Sequence, residues 1–460
     1  MPDVDPASFR DPDATVFIQD GRVFRGLSEA AERSYVAATD AGLIDDLVDR
    51  GWLVDHWKGA ATRMPPVGVP TNLVLEARRL PVVSYPYEWS FSMLRDAALL
   101  TLDITVACLR AGFQMKDATA YNVAFDGIRP LMIDLTSIEE GFDGAWIAYG
   151  QFCDQFLAPL LLEAHLGVPF QPYLRGRLVG LPVTELAGMF PGMRRFHRGV
   201  FSHVYLRSRI ERRARNLTTQ DRTVLRTGMK LPVEAVLSSV EKMRRLVMSL
   251  EARSASVWAG YEFDHSYEDQ QRSEKERFVE AVGHRVGGAV AWDVGANTGA
   301  FSEILARHFP NVVAIDSDAG AVDAMYRRLG EAAVEGIHPL VMDIADPSPA
   351  RGWRGQERSS LVHRAEPGLV AWLAIIHHLC LAGEVPIGGF LDLVAETSPH
   401  AIVEFVAPDD PMSLKLMATR KVSRDDYTRE SFMAAVAQRF TIEASTSVSP
   451  TRDLFHLRRH

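Results

Sequence analysis

The chain has 460 residues, of which 47% are hydrophobic and 24% are charged, and its formal net charge is −9. This composition excludes a fibrous or a disordered protein and predicts a globular chain with two or three domains. The negative net charge argues against a general affinity for nucleic acid, so no nucleic-acid partner is expected.

The start of the chain and the cysteines point to a cytoplasmic protein. The first residues, "MPDVDPASFRDPD", are acidic and lack the basic start and the apolar core of a signal peptide. No apolar run is long enough and free enough of charge to cross a membrane. The cysteines, Cys108, Cys153 and Cys380, are far apart in apolar helical patterns, which argues against disulfides and against a thiolate zinc site. We therefore expect no membrane partner and no metal.

Helical apolar patterns dominate the first half of the chain. They cover residues Leu94 to Leu109, Phe152 to Leu162 and Val233 to Leu250. The rhythm changes near residue 270, after which short apolar strands alternate with helices. We place a domain boundary within residues 255 to 275, which gives a mostly helical α+β domain over residues 1–254 and a second domain over residues 255–460.

Three polar residues of the first domain stand at a spacing known from phosphoryl transfer. In "MKDATAYNVAFDGIRPLMIDLTS", Asp117 and Asn122 are five apart and Asp134 follows an apolar strand. This resembles the catalytic Asp, the metal-binding Asn and the second metal-binding Asp of protein kinases, with "LPVVSYPYEWS" as the hinge strand. The pattern departs from that family, because the His-Arg pair and the glycine-rich loop are missing. Lys58 is also the only lysine before Lys116.

We interpret the first domain as similar to a degenerate kinase that recruits the substrate or serves as a scaffold. Two alternatives stay open. One is a working phosphotransferase that carries the second domain as an accessory, and the other is an unrelated helical domain in which Asp117 and Asn122 cap turns.

A basic segment runs from Arg194 to Lys230, with eleven Lys and Arg residues against Glu211 and Asp221. Three interpretations stay open: a solvated helical face, a site for an anionic substrate or carrier, and a contact with RNA. The aromatic residues there, Phe196, Phe201 and Tyr205, are too few to favour base stacking.

The second domain alternates strands and helices. The predicted strands are Ala289 to Val294, Val312 to Ile315, Pro339 to Met342, Leu369 to Ala374 and Ala401 to Phe405, and the predicted helices are Thr298 to His308, Ala319 to Leu329, Ile387 to Glu396 and Thr428 to Ala437. Such alternation predicts a doubly wound α/β fold, in which helices cover both faces of a parallel sheet. The runs "FTIEASTSV" and "DLFHLRR" near the end predict a closing antiparallel hairpin.

Two acidic signals follow the first two strands of this sheet. "AWDVGANTGAFSE" carries Asp293, Gly295, Asn297 and Gly299, and "VVAIDSD" places Asp316 twenty-one residues after Gly295. A glycine turn allows close approach of a ligand, and an acidic residue after the second strand can accept both hydroxyls of a ribose. These signals also fit enzymes that bind NAD, but the terminal hairpin and Phe301, in the place of a third glycine, argue against that class.

With the hairpin, these motifs resemble the class I S-adenosylmethionine-dependent methyltransferases over residues 265 to 460, which have a seven-stranded Rossmann-like sheet. The resemblance implies S-adenosyl-L-methionine as the cofactor. It implies that Asp293 faces the ammonium group, that Gly295, Asn297 and Gly299 pass beneath the methionine part and that Asp316 holds the ribose. It further implies cofactor contacts from the set Ser317, Asp343, Ile344 and Tyr267, in which Asp343 holds the adenine amino group.

The catalytic residues are predicted from the turns that follow the fourth and fifth strands. "AIIHHLC" offers His377 and His378 as bases, since imidazole titrates near the working pH. "VEFVAPDDP" offers Glu404 as a third candidate, with Asp409 and Asp410 as rivals. Each has a structural alternative: the histidines can be packing residues, Glu404 can hold a helix or loop, and the adjacent aspartates can form a solvated cap.

The motifs "IADPSPARGW", "IIHHLCLAGEVP", "EFVAPDDP" and "ATRKVSRDDYT" extend the likeness to the whole chain. They resemble a family of bacterial two-part methyltransferases related to a rhizobial nodulation protein. This implies a small-molecule, sugar or peptide-like acceptor from secondary metabolism. The acceptor atom and the oligomeric state, with a homodimer as one option, stay open, and a non-catalytic binding module is a further alternative.

Overall fold

The N-terminal region contains a five-stranded antiparallel sheet. The computed structural model describes residues 3–59, 65–66, 68–214, 230–253, 269–420 and 425–460. The strands of this sheet are β1 (Asp3–Val4), β2 (Ala14–Gln19), β3 (Arg22–Leu27), β4 (His56–Lys58) and β5 (Leu73–Ala77), in the order β1-β2-β3-β5-β4. Asp20 and Gly21 join β2 to β3 with positive φ angles of 51° and 77°, which is the backbone of a tight hairpin turn. The sequence interpretation found none of these strands.

Two short strand pairs follow the sheet. β6 (Phe113–Met115) pairs with β9 (Ile138–Glu140), and β7 (Val123–Asp126) pairs with β8 (Arg129–Met132), both antiparallel. The loop between β6 and β7 holds Asp117 and Asn122, and Asp134 follows β8. The pairing of these short strands therefore places the loop between β6 and β7 next to the segment that follows β8.

Helices form the remainder of the N-terminal region. They are α1 (Glu29–Asp40), α2 (Leu43–Asp49), α3 (Phe91–Arg110), α4 (Tyr149–Phe152), α5 (Ala158–Leu166), α6 (Gln171–Gly176), α7 (Val183–Met189), α8 (Arg207–Ala214) and α9 (Val233–Met248), with π-helical turns at Cys153–Leu157 and Val200–Leu206. Ser90 begins α3, because its side chain accepts a hydrogen bond from the backbone of Met93. α3 is buried along most of its length and packs against α9.

The predicted hinge strand at residues 80–90 is absent. These residues contain a bend at Pro81 and a 3-10 turn at Pro86–Glu88, and they pair with no strand of the described chain. The reason lies in Glu88, which is fully buried and forms an ion pair with Arg364 of the C-terminal region. This segment packs against the other half of the molecule instead of joining a sheet.

The C-terminal region is the predicted seven-stranded sheet. Its strands are β10 (Val290–Val294), β11 (Asn311–Asp316), β12 (Ile337–Val341), β13 (Leu369–Trp372), β14 (His400–Val406), β15 (Phe440–Ser449) and β16 (Arg452–Arg459), in the order β12-β11-β10-β13-β14-β16-β15. The first five strands are parallel, and β16 and β15 close the sheet as an antiparallel hairpin. The predicted doubly wound fold and its terminal hairpin are confirmed.

Helices cover both faces of this sheet. They are α10 (Asp269–Val286), α11 (Ala300–Leu305), α12 (Ala319–Glu331), α13 (Ile387–Thr397), α14 (Pro411–Arg420) and α15 (Arg429–Ala437). Side chains of β10 alternate between two apolar clusters: Trp292 belongs to one and Ala291 to the other. This alternation is expected for a strand that is buried on both faces. No helix within the described ranges is long and apolar enough to span a bilayer.

The two regions meet along a polar seam. Asp323 of α12 accepts hydrogen bonds from the Ser90 hydroxyl at 2.8 Å, the Ser92 amide at 2.7 Å and the Ser92 hydroxyl at 3.1 Å. Tyr326 donates to Asp96 at 2.9 Å, and the Arg364 guanidinium lies 4.3 Å from the centre of the Tyr85 ring. The predicted boundary at residues 254/255 lies outside the described residues and stays a prediction.

Candidate functional site

The turn after β10 has a backbone that glycine favours. Gly295 and Gly299 have φ angles of 78° and 90°, and Asn297 between them is left-handed at 49°. The amides of Gly295 and Ala296 donate to the Ile315 carbonyl of β11 at 2.9 and 3.0 Å. The turn is therefore held against the carboxyl end of the neighbouring strand, where open α/β sheets bind their ligands.

The structure gives a different physical reason for the two glycines. A Cβ at Gly295 would lie 2.5 Å from the Ile375 side chain, and one at Gly299 would lie 2.8 Å from the Met325 sulfur. The protein's own side chains and the positive φ angles therefore favour glycine at both positions. The predicted passage of Gly295 and Gly299 beneath the methionine part of the cofactor stays a prediction.

Asp316 lies at the carboxyl end of β11 and faces this turn. Its Oδ2 accepts from the Asn297 amide at 2.8 Å, and its Oδ1 accepts from the Asp318 amide at 2.9 Å. Burial raises the pKa of the Asp316 carboxyl above its ordinary value, although these amides oppose the shift. Each oxygen of a carboxylate can accept more than one hydrogen bond, so Asp316 keeps capacity for hydroxyl donors.

Asp293 lies beneath the turn and is almost fully buried. The Ser302 hydroxyl donates to its Oδ2 at 2.6 Å. Burial raises the pKa of Asp293 to about 6, and the nearby charge of Asp316 acts in the same direction. The Asn297 Oδ1 atom is also buried and has no hydrogen-bond partner among the described residues. Two buried acceptors, one of them without a partner among the described residues, therefore lie at this turn.

The remaining predicted cofactor residues lie along the same edge or outside the described ranges. Asp343 follows β12, is exposed and accepts from the Ala345 amide at 2.9 Å. Ser317 is exposed next to Asp316, and Ile344 packs against the apolar cluster that contains Trp292. Tyr267 lies outside the described residues. Its role as a cofactor contact stays a prediction, as do the roles of Asp343, Ser317 and Ile344.

Glu404 of β14 is the centre of a buried charge network. It has no solvent exposure, and its Oε2 accepts from Lys275 Nζ at 2.7 Å and from the Ala374 amide at 2.9 Å. Its Oε1 accepts from Arg452 at 3.4 Å. Ala374 has a left-handed φ of 52° in the turn after β13. These contacts favour the alternative interpretation of Glu404, in which it holds a helix and a loop in place.

The two neighbouring aspartates differ from each other. Asp410 is buried, accepts two hydrogen bonds from Arg452 at 2.8 and 3.0 Å and accepts a third from Thr451 at 2.8 Å. Burial would raise the pKa of Asp410, but the hydrogen bonds from Arg452 lower it below its ordinary value. Asp409 is exposed, so only this residue fits the expected solvated cap.

His377 and His378 stand side by side after β13, with ring centres 4.3 Å apart. His377 is 2% exposed, and its Nδ1 has no hydrogen-bond partner within the described part of the chain. Burial lowers the pKa of His377 well below its ordinary value, and it also lowers the pKa of the half-buried His378. Both rings are therefore neutral at pH 7, which is the form that accepts a proton.

The kinase-like residues of the N-terminal region do come together. Asp134 accepts hydrogen bonds from Thr136 and from Ser137, at 2.8 and 2.6 Å, and forms an ion pair with Arg25 of β3. Asn122 donates to Ser137 at 2.8 Å. Asp117 accepts from the Thr119 amide at 3.0 Å, which is a turn-capping contact. In the described residues no group of three His, Cys, Asp or Glu could hold a metal ion.

The sequence analysis did not predict the basic residues that pair with Glu404 and Asp134. Lys275, Arg452 and Arg25 lie 129, 48 and 109 positions from the carboxylates that they contact. Lys275 stands among charged residues in "SEKERF", which has the pattern of an exposed helical face. Local spacing holds no signal for ion pairs over such distances along the chain.

A search among known sequences finds a relative that covers most of the chain. The nodulation protein NoeA of Rhizobium meliloti (strain 1021) is 32% identical over 436 residues, which cover 94% of this chain and 91% of NoeA. This agrees with the resemblance found from the motifs. No family model matches the sequence.

Among solved structures, part of the chain is similar to two methyltransferases. The N-methyltransferase NodS of Bradyrhizobium japonicum WM9 is 14% identical, with a TM-score of 0.31, and the match covers 42% of this chain and 98% of NodS. The magnesium protoporphyrin IX methyltransferase of Synechocystis PCC 6803, with bound S-adenosylhomocysteine, is also 14% identical. Its TM-score is 0.31, with 44% of this chain and 96% of that chain covered.

Proposed function

The chain belongs to the family of the nodulation protein NoeA, and on that premise we propose that it is an S-adenosylmethionine-dependent methyltransferase. The observation that carries this proposal is the edge where β10 and β11 end. At this edge, a glycine turn with left-handed φ angles lies beside the Asp316 carboxylate. Backbone amides donate hydrogen bonds to this carboxylate, which has further lone pairs for a ligand. This arrangement suits a ribose with two free hydroxyls.

The residues at this edge match the polar groups of S-adenosylmethionine. Asp316 would accept both ribose hydroxyls, and Asp293, with the buried Asn297 oxygen, would accept from the ammonium end. Asp343, exposed after β12, would accept from the adenine amino group. S-adenosylmethionine supplies, when bound, a methyl group on a sulfonium for in-line attack by the acceptor. The protein contributes orientation and the exclusion of water.

We propose His377 as the base for the acceptor. Its Nδ1 is unpaired among the described residues, so this atom is available to an acceptor oxygen or nitrogen. Burial lowers the pKa of His377, which makes the ring a weaker base, so the proposal rests on the free nitrogen and its place after β13. Glu404 is better suited to positioning, because two cations and the Ala374 amide already bind its carboxylate. Through Ala374 it fixes the turn that leads to His377.

The N-terminal region is proposed to support the cofactor side as well as to recruit the acceptor. The segment between β12 and β13, which includes Asp343, contacts the N-terminal region repeatedly. Arg175 binds Asp346 at 2.9 Å, and Arg351 donates to the Gly176 carbonyl at 3.1 Å. The acceptor is proposed to be a small molecule, a sugar or a peptide-like compound of secondary metabolism.

Calorimetry on the full chain tests the proposal. We expect S-adenosylhomocysteine to bind and ATP with Mg²⁺ not to bind. The next step is incubation with methyl-labelled cofactor and cell extracts, which identifies the acceptor by the label it gains. His377→Asn should lower kcat with the dissociation constant of S-adenosylhomocysteine unchanged. A folded wild-type chain that does not bind S-adenosylhomocysteine would make the proposal wrong.

A further inference from the structure

An exposed apolar strip lies on the N-terminal region, far along the chain from the proposed site. Five large apolar side chains between residues 193 and 210 are exposed by 38% to 79%: Met193, Phe196, Phe201, Leu206 and Ile210. Phe201 and Leu206 are five apart in a π-helical turn, and Ile210, in the α-helix that continues from this turn, is four residues after Leu206. Both spacings place neighbours on one face of a helix. We call these five residues the apolar strip.

Arginines alternate with the apolar strip along the same segment. Five of them are exposed: Arg194, Arg198, Arg209, Arg212 and Arg213. Between residues 193 and 213 the single acidic residue is Glu211, which is bound to Arg207 at 2.6 Å. The segment that carries the strip therefore has an excess of positive charge, although the chain as a whole has a net charge of −9. Glu185 of α7, the helix that packs against this segment, is paired with Arg177.

The aromatic rings of this surface already cover one another. Phe196 stacks on Phe201 and Phe201 stacks on Tyr205, with ring centres 5.4 and 5.8 Å apart. The Arg195 guanidinium lies 4.9 Å from the Phe196 ring centre and 5.5 Å from that of Tyr205, and Arg209 lies 5.9 Å from the latter. The ring faces are occupied by these contacts, so what the surface presents to a partner is ring edges and aliphatic chains.

We propose that this surface binds the face of an anionic phospholipid bilayer. Apolar side chains flanked by arginines are the composition that lies at a lipid interface, where the apolar groups enter between headgroups and the cations contact phosphates. This mode of binding needs no spanning helix. It departs from the expectation, drawn from the sequence, that the chain has no membrane partner.

Other partners fit the surface less well. RNA recognition relies on stacking of bases on free ring faces, and these faces are occupied. A second copy placed on the strip across a two-fold axis would bring the two sets of arginines together, which costs free energy through like-charge repulsion. A small anion would leave the five apolar side chains in water. A bilayer provides both negative charge and an apolar phase.

Vesicle flotation of the full chain tests the proposal. The probes are vesicles of phosphatidylcholine alone and vesicles in which one third of the lipid is phosphatidylglycerol. We expect binding to the anionic vesicles only, with a loss of binding at high salt because ions screen the arginines. This readout does not depend on methyl transfer, so its failure leaves the proposed enzymatic function unaffected.

Two variants and two matched controls locate the surface. Met193→Ser with Ile210→Ser removes apolar chains that are the most exposed of the strip, and Arg194→Glu with Arg198→Glu and Arg213→Glu reverses charge. Each variant should weaken binding by about tenfold or more. Val179→Ser and Arg110→Glu change exposed residues of the same region outside the surface and should leave vesicle binding unchanged.

Circular dichroism melting of each variant shows whether it is folded. The proposal is wrong if the wild-type chain does not bind anionic vesicles at low salt, or if both folded variants bind them as the wild-type chain does. It is also wrong if the variants lose binding to a single-stranded RNA oligonucleotide, or lose self-association in gel filtration, while vesicle binding does not change.

Discussion

Two aspartates, one in each half of the molecule, lie at the ends of strands but differ in the groups that surround them. Asp316, in the C-terminal region, accepts hydrogen bonds from the backbone amides of Asn297 and Asp318. Asp134, in the N-terminal region, is held by the Arg25 guanidinium and by the side chains of Thr136 and Ser137. The Asp316 carboxylate is therefore oriented and can accept further hydrogen bonds, whereas the charge of the Asp134 carboxylate is neutralised by Arg25.

The difference teaches how to separate a binding carboxylate from a structural one. Amides orient Asp316 without adding a full positive charge, so burial still raises its pKa and a ligand that donates hydrogen bonds gains from the carboxylate. The Arg25 charge, together with hydrogen bonds, lowers the pKa of Asp134 despite burial. A metal or phosphate group at Asp134 would have to compete with that internal cation.

The largest expected effect tests whether Asp134 is structural. Asp134→Ala would leave Arg25, whose side chain is 14% exposed, without its partner. Removal of one member of a buried pair costs about 3 to 5 kcal/mol of folding free energy. Urea unfolding should show this loss, while S-adenosylhomocysteine affinity stays close to that of the wild-type chain.

Asp46→Ala is the matched control, since Asp46 pairs with Arg50 on the surface with 45% of its side chain exposed. Such pairs contribute about 1 kcal/mol or less. The assignment of Asp134 as a structural carboxylate would be wrong if ATP binds in the presence of Mg²⁺ and Asp134→Ala abolishes that binding without a loss of stability. That result would favour the phosphotransferase alternative.

The next effect concerns the open carboxylate. Asp316→Ala should remove two charge-assisted hydrogen bonds to a ribose, which corresponds to about 2 to 4 kcal/mol of binding free energy. Calorimetry should then show a dissociation constant for S-adenosylhomocysteine that is higher by tens-fold or more. Asp409→Ala removes an exposed carboxylate after β14 and serves as the control. Equal affinity of a folded Asp316→Ala variant and the wild-type chain would contradict the assignment.

The sequence predicted the C-terminal region well because its signals are local. Strand periodicity and turn residues mark each element, so β11 was expected at Val312 to Ile315 and extends over Asn311–Asp316. The helix after β10 was expected to span Thr298 to His308 and is shorter, Ala300–Leu305. The β1 to β5 sheet was not predicted, because its strands, three of which are similar in length to the parallel strands of the C-terminal region, do not alternate one by one with helices, and that alternation marked the C-terminal strands.

The candidate site was predictable only where function depends on residue type at fixed spacing. The glycines and Asp316 fall on such spacing, and the structure brings them together. The role of Glu404 was not predictable, because it depends on Lys275 and Arg452, which other elements bring to it through the fold. The difference between Asp316 and Asp134 has the same origin: nothing beside Asp134 in the sequence indicates Arg25.

A third prediction asks whether the two regions unfold together. His338 of β12 is buried at the seam, where its Nδ1 accepts from the Gly127 amide at 3.2 Å and its Nε2 lies 3.2 Å from Asn311 Oδ1. Burial lowers the pKa of His338 to about 4. Because the unfolded chain takes up this proton near pH 6.5 and the folded chain does so only near pH 4, acid favours the unfolded chain.

Stability should therefore be unaffected by His338 above pH 6.5 and fall as the pH decreases below it, by about 2 kcal/mol at pH 5 from this residue. Urea unfolding at pH 7, 6 and 5, compared with His338→Asn, measures this loss as the difference between the two pH slopes. A single transition whose midpoint moves would mean that the regions unfold as one unit. Equal slopes in the two chains would contradict the prediction.

The smallest expected effect sharpens the description of the open site through Asp293. Burial raises the pKa of Asp293 to about 6, so its carboxyl is protonated in much of the cofactor-free protein at pH 5 and ionised at pH 7. If the ammonium group of S-adenosylhomocysteine binds the ionised form, binding below pH 6 must first remove a proton. The affinity should then rise with pH by up to about tenfold per unit below pH 6, which is about 1.4 kcal/mol, and level off above it.

Calorimetry between pH 5 and pH 7.5 measures this slope, and Asp293→Asn, which cannot ionise, should bind more weakly at pH 7 and show a flat profile. A slope that persists in Asp293→Asn would assign the proton to another group, and a flat profile in the wild-type chain would mean that the ammonium group does not sense Asp293.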